Sequence, residues 1–108
     1  LDLCAAPGGK STHILASISD DSTLISNEII PNRNKILREN LTKWGYANSI
    51  VTQNDAAQIA SSGIMFDVIV VDAPCEITVS YICDEGQIVG VAGLCFVGGF
   101  FRIRIRYF

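Results

Sequence analysis

The stretch Leu1-Asp2-Leu3 runs directly into Cys4-Ala5-Ala6-Pro7-Gly8-Gly9-Lys10, an apolar strand end followed by a turn of small residues and two glycines. A helix is expected after it, from about Lys10 to Ile18, with Ile14, Leu15 and Ile18 on one face. A strand that turns through glycines into a helix is the opening of a parallel α/β unit. In such sheets ligands bind at the carboxyl ends of the strands, where this turn must lie. Small residues let the backbone approach a ligand closely, and amides at a helix start favour a negative group.

The same rhythm continues to about residue 76. Thr23 to Glu28 reads as a second strand. Pro31 and Asn32 open a second helix in which Ile36, Leu37, Leu41 and Trp44 recur at helical spacing, with Trp44 expected in the core. Gly45 stands where a C-terminal cap belongs. Ser49 to Gln53 is a third strand and Ala56 to Ser61 a short helical turn. Phe66 to Val71 is an unbroken apolar run ending in Asp72, the pattern of a central parallel strand covered on both faces. The fold class is therefore α/β with a parallel sheet.

Residues 77–108 break this rhythm. Ile77 to Cys83 reads as a strand, Asp84-Glu85-Gly86 as a turn, and Val89 to Phe101 is Gly-rich without a clear period. Phe101 to Tyr107 alternates apolar residues with Arg102, Arg104 and Arg106, a strand with one solvated face. The longest apolar run, Ile88 to Phe101, has 14 residues, short of the roughly twenty a membrane span needs.

Charge and cysteine usage narrow the function classes. The net charge of −3 gives no general basic footprint for nucleic acid, so any RNA-binding surface must be local or lie on another segment. Cys4, Cys75, Cys83 and Cys95 form no C-x-x-C pair, and His13, expected to be exposed, is the one histidine, so no metal site is expected. Free thiols fit a reducing, cytoplasmic compartment, and no leader segment is evident.

Acids stand at successive strand ends. Glu28 follows the second strand, where a carboxylate can accept both hydroxyls of a ribose. Asp55 follows the third, placed for the exocyclic amine of an adenine, and Asp72 closes the fourth. Taken singly, each could be a cap or a solvated residue, and Asp55 before Ala56 is a natural helix N-cap. Together with the glycine turn they describe a pocket for an adenosine-bearing ligand. A competing reading takes Gly9-Lys10-Ser11 and Ile69-Val70-Val71-Asp72 as a P-loop nucleotidase. Against it, Cys4 stands where that loop needs glycine, and Pro7 removes a backbone N–H from it. A third reading is a degenerate segment that binds no ligand.

Residues 1–76 closely resemble the Sun/Fmu family of RNA cytosine-5 methyltransferases. The resemblance is carried by Leu1-Asp2-Leu3-Cys4-Ala5-Ala6-Pro7-Gly8-Gly9-Lys10, Asn27-Glu28, Asn54-Asp55 and Val71-Asp72-Ala73-Pro74-Cys75. Arg33, Leu37-Arg38-Glu39-Asn40 and Trp44-Gly45 also fit the family's second helix. It implies a Rossmann-like class I fold that uses S-adenosylmethionine, here incomplete: four strands of a cofactor domain over 1–76 and an atypical tail over 77–108. It implies that Cys4, Ala5, Ala6, Pro7, Gly8, Gly9 and Lys10 wrap the cofactor. Glu28 would hold its ribose, Asp55 would contact adenine, and Asp72 would line the boundary with the target cytosine. The substrate implied is ribosomal or transfer RNA.

Cytosine C5 is a poor nucleophile and is activated by adding a thiolate to C6; a base must later remove the C5 proton. In the family resembled, the attacking cysteine lies in a Thr-Cys motif beyond the Pro-Cys motif, and the Pro-Cys cysteine, Cys75 here, is implicated in resolving the adduct. No Thr-Cys pair follows Cys75 in this sequence, and Glu76-Ile77-Thr78 replaces the family's Ser-Gly. Cys83 and Cys95 read as structural thiols. The expectation is a chain that is catalytically silent alone, its change of character at Glu76 suggesting a frameshift, a chimeric junction or a gene remnant.

Overall fold

Strand–helix alternation is realised in full over the first 54 residues. The computed structural model describes residues 1–72 and the backbone of two later strands. In chain order the elements are α1 (Gly9–Leu15), β1 (Leu24–Asn27), α2 (Pro31–Trp44), β2 (Ser49–Thr52), α3 (Ala56–Ser61), β3 (Ser80–Asp84) and β4 (Gln87–Ala92). They fall into two compact units, Leu1–Asn54 and Asp55–Phe108. The expected border between 76 and 77 lies among residues outside those described.

In the first unit β1 and β2 pair in parallel, Leu24 against Ser49 through Asn27 against Thr52. The chain at Leu1–Leu3 joins on the other side of β1 through a parallel bridge between Asp2 and Ser26. Asp2 N–H donates to the Ile25 carbonyl at 2.8 Å, and Asn27 N–H donates to the Asp2 carbonyl at 2.8 Å. Three parallel segments therefore end side by side.

Helix α1 is shorter than its apolar spacing predicts, closing at Leu15 rather than Ile18. Ser17 Oγ donates to the His13 carbonyl at 2.9 Å, and Ser17 N–H turns to the Ile14 carbonyl, three residues back, at 2.9 Å. Helix α2 follows the expected signals: Pro31 opens it, and Gly45, at φ 72°, closes it by donating to the Leu41 carbonyl.

The stripe that α2 buries is not the one expected. Asn34, Leu37 and Leu41 face inward, while Ile36 is 48% exposed and Trp44 is 63% exposed. The expectation of a core Trp44 is overturned, and length supplies the reason. Fourteen helical residues extend roughly 21 Å. Four-residue strands cover only roughly 13 Å. The apolar stripe thus outruns the sheet at its last turn.

The core of this unit is Ala5, Ala6, Leu15, Leu24, Leu37 and Leu41, with Ile14, Ile18, Tyr46 and Val51 packed on it. Fully burying one such leucine contributes about 2 kcal/mol. The expected α1 face is thus on the core, and His13 is exposed as expected.

In the second unit α3 lies alongside β4, and β3 pairs with β4 as an antiparallel hairpin, irregular between Ile82 and Cys83. Two expectations change. Phe66 to Val71 is not a strand covered on both faces: its described ladder is a single bridge residue at Val70, and Val68 is 44% exposed although Ile69 is buried. A strand closed on both faces needs paired neighbours, and one bridge does not supply them. Residues 89–92, read as having no period, form part of β4, because a cross-strand partner stabilises a β-branched run that local pattern leaves undecided. Cys95 and the Arg102, Arg104 and Arg106 stripe lie outside the described residues. Among the described residues no helix is long and apolar enough to cross a membrane.

Gly8, at φ 112°, caps α1, and a Cβ there would stand 3.2 Å from Leu37 Cδ1. Gly8→Ala is expected to cost about 2 kcal/mol from backbone strain alone, read as a lower midpoint in chemical denaturation.

Candidate functional site

At the carboxyl ends of parallel strands the ladder stops, and backbone groups there need other partners. Asn27, 2% exposed, supplies many of them. Its Nδ2 donates to the Leu3 carbonyl at 3.2 Å and to the Asn54 carbonyl at 2.9 Å. Its Oδ1 accepts from Thr52 Oγ1 at 2.9 Å and from Asn54 N–H at 2.9 Å. Its own carbonyl accepts from Ala5 N–H at 2.9 Å, which seats the glycine turn on the end of β1.

Helix α2 holds the same edge from above. Asn34 Nδ2 donates to the Glu28 and Thr52 carbonyls at 3.0 and 2.7 Å, and its Oδ1 accepts from Arg38 Nε. Arg33 Nη2 donates to the Ala6 carbonyl at 3.0 Å, and Asn40 Nδ2 donates to the Pro7 carbonyl at 2.7 Å. The turn is thereby clamped from the helix that follows Glu28. The Ala6–Pro7 peptide is cis.

The two glycines of the turn have different reasons to be there. Both were expected to admit a ligand. At Gly8 the missing Cβ also leaves room for Leu37 and Asn40 of α2. Gly9 meets nothing within 4 Å at the position of a Cβ, so that side of the turn is open space. Pro7, Gly9 and Lys10 are exposed, Ala5 and Ala6 are buried, and Cys4 is half-buried.

Glu28 is 3% exposed at the end of β1. Its Oε1 accepts from Ile30 N–H at 3.0 Å, and its Oε2 stands 3.7 Å from Arg33 Nη2. Because that same nitrogen reaches the Ala6 carbonyl, the glycine turn and the Glu28 carboxylate are brought to one place. Asp55 and Asp72 belong to the second unit. Asp55 is exposed and caps α3: its Oδ1 accepts from Gln58 N–H at 2.7 Å, while Gln58 Oε1 accepts from Asp55 N–H at 2.9 Å. Asp72 is half-buried. Cys75 lies outside the described residues.

Asp2, Asn27, Arg33 and Asn40 entered the sequence reading only within the strings of the resemblance, and Asn34 not at all; none was given a role. A carboxylate inside Leu1-Asp2-Leu3 and an asparagine inside a strand are both rare in buried positions, and that was the available signal. Asp2 is 1% exposed and accepts from Ser11 Oγ at 2.8 Å, while Ser26 Oγ donates to Ser11 Oγ at 3.0 Å. Its other oxygen, Oδ1, is buried with no hydrogen-bond partner; the Cys4 backbone N–H favours the charged form without closing a bond to Oδ1.

A parallel sheet whose strand ends meet a glycine turn and a buried acid defines a partial Rossmann-like fold of the class I, S-adenosylmethionine-dependent methyltransferases. Residues 1–83 match the family described as 16S rRNA methyltransferase RsmB/F, and the chain belongs to that family. It is 40% identical over 77 residues to the ribosomal RNA small subunit methyltransferase F of Salmonella paratyphi C and 38% identical to that of Shigella dysenteriae serotype 1. In both comparisons 70% of this chain is covered, and the chain spans 16% of the relative's length. The crystal structure of NSun6 from Pyrococcus horikoshii with SFG superposes with a TM-score of 0.63 at 38% identity, covering 68% of this chain and 19% of that one.

Two titrations follow from the burial. Burial raises the Asp2 carboxyl above its ordinary value, only partly offset by Ser11, Lys10 and the amino terminus. A raised carboxyl means the folded state binds its proton more tightly, so this contribution is fullest below the unfolded value near 3.8 and is lost as pH rises through the folded one. Asp2→Asn is expected to flatten the fall of melting temperature between acid and neutral pH, measured by thermal unfolding across that range. The Cys4 thiol is pushed up to about 11, first by burial, then by the charges of Glu28 and Asp2, with Arg33 opposing. At pH 8 its alkylation by iodoacetamide, followed on the Cys4 peptide by mass spectrometry, is expected to be about a hundredfold slower than that of an ordinary thiol. Glu28→Gln should speed it.

Proposed function

We propose that this segment binds S-adenosylmethionine for transfer of its methyl group to C5 of cytosine in ribosomal or transfer RNA, in the cytoplasm. The observation that carries the reading is the meeting of the clamped glycine turn with the buried Glu28 carboxylate through Arg33. The site suits the cofactor in one further respect: the face of the turn at Gly9 is open. Family membership and a relative crystallised with SFG, an analogue of S-adenosylmethionine, support the same ligand.

When bound, the cofactor supplies an electrophilic methyl group on its sulfonium. The chain's own residues bind and orient it. The turn from Cys4 to Lys10 would wrap it with backbone groups, its carbonyls at Ala6 and Pro7 already held back by Arg33 and Asn40. Glu28 would accept the ribose hydroxyls, with Arg33 orienting its carboxylate. Asp55 and Asp72 are assigned to adenine and to the cytosine boundary from their places after the third and fourth strand segments. Cys4, as a neutral thiol, is a wall and not a nucleophile.

Transfer to C5 also needs a thiolate at C6 and a base for the C5 proton. No Thr-Cys pair follows Cys75 among the 108 residues, so these residues alone would bind the cofactor without turnover. S-adenosylhomocysteine is expected to raise the melting temperature of the chain, and Glu28→Ala to remove that rise. Gly9→Ala should stabilise the free chain by about 0.5 kcal/mol through a less flexible unfolded chain and yet weaken binding of the ligand, since the methyl enters the open face. Incubation with radiolabelled S-adenosylmethionine and unmodified ribosomal or transfer RNA should leave cytosine unlabelled. Label in cytosine would overturn the silence, and no thermal shift would overturn the cofactor reading.

A further inference from the structure

We propose that Asn27 is a positioning residue for nucleoside recognition, fixing Glu28 in the place from which it accepts ribose hydroxyls. The inference rests on the cofactor reading and deepens it. Its basis is a side chain with no spare hydrogen-bonding capacity: both Nδ2 hydrogens and both Oδ1 lone pairs are in use, on Leu3, Asn54, Thr52 and Asn54 again. Its backbone adds Asp2 on one side and Ala5 on the other. One residue thus joins the end of the Leu1–Leu3 segment, the start of the glycine turn and the end of β2, and it immediately precedes Glu28.

The chemistry of the amide is what the position requires. Two carbonyls face its nitrogen, while a hydroxyl and an N–H face its oxygen, so the group must donate on one side and accept on the other. Aspartate has the same shape but would set an anion against the Leu3 and Asn54 carbonyls. The carboxylate would turn or the strand ends would part, and Glu28, tethered through its own N–H to the Thr52 carbonyl at 3.2 Å, would move with them. The influence of Asn27 passes through the backbone to its neighbour.

The test compares S-adenosylhomocysteine with its 2′-deoxy analogue by isothermal titration calorimetry. Removing a hydroxyl that a correctly placed carboxylate accepts should weaken binding to the unaltered chain about tenfold. In Asn27→Asp, S-adenosylhomocysteine itself should bind about tenfold more weakly, and the penalty for the missing hydroxyl should shrink to about twofold. Leu15→Ala, a core change among residues that make none of these hydrogen bonds, should lower the melting temperature while leaving the hydroxyl penalty intact. Thr52→Val, which removes one donor to Asn27 Oδ1, should reduce that penalty in part and serves if Asn27→Asp does not fold. A full hydroxyl penalty in folded Asn27→Asp, or in Thr52→Val where the former is unfolded, overturns the assignment. An unaltered chain that binds neither compound defeats the cofactor reading itself, and the Asn27 assignment with it.

Discussion

Parallel strands that stop together leave a row of backbone carbonyls with no ladder to enter, and the first unit is organised around answering them. Leu3 and Asn54 are met by Asn27, Glu28 and Thr52 by Asn34, Ala6 by Arg33 and Pro7 by Asn40. An unmet buried carbonyl costs about 1–3 kcal/mol, so leaving those of Leu3 and Glu28 unmet would weigh on a small core. The side chains that meet the carbonyls are amides and a guanidinium, groups whose donors are fixed in a plane. The carbonyls therefore become anchors, and the strand ends are held in one arrangement.

That arrangement accounts for the features placed around it. The glycine turn is seated by Ala5 N–H on the Asn27 carbonyl and lies close against α2 at Gly8, where a Cβ would press on Leu37. Glu28 is buried because the helix that follows it folds back immediately, bringing the Ile30 N–H and Arg33 to its carboxylate. On the helix side of the sheet, the buried Asp2 is tolerated through hydroxyls passed from Ser26 to Ser11. A carboxylate held this way keeps an unsatisfied oxygen at the price of a raised pKa. Such sites are common where a ligand completes the hydrogen bonding.

The family match and the geometry reinforce each other by different routes. The match covers residues 1–83, which include the string Cys-Ala-Ala-Pro-Gly-Gly-Lys. The geometry shows why such a string is demanding: Gly8 must have positive φ and no Cβ, and Pro7 must offer its carbonyl to Asn40. The relatives are much longer than this chain, whose 77 matched residues cover 16% of them. The chain therefore corresponds to one part of such a protein.

Local sequence determined the order and kind of the early elements, because helix α2 is bounded by Pro31 and Gly45 and strands β1 and β2 are short β-rich runs between turns. It also placed Glu28 at a strand end and Asp55 as a helix cap, since both depend on neighbours close in the chain. It could not show which residue α2 would bury: Asn34 displaces Ile36 from the expected stripe because two carbonyls from β1 and β2 wait there. Nor could it separate Gly8 from Gly9, which look alike until Leu37, 29 positions later in the sequence, is packed against one of them. Contacts between residues far apart in sequence decide these questions, and their partners exist only once the strands have paired.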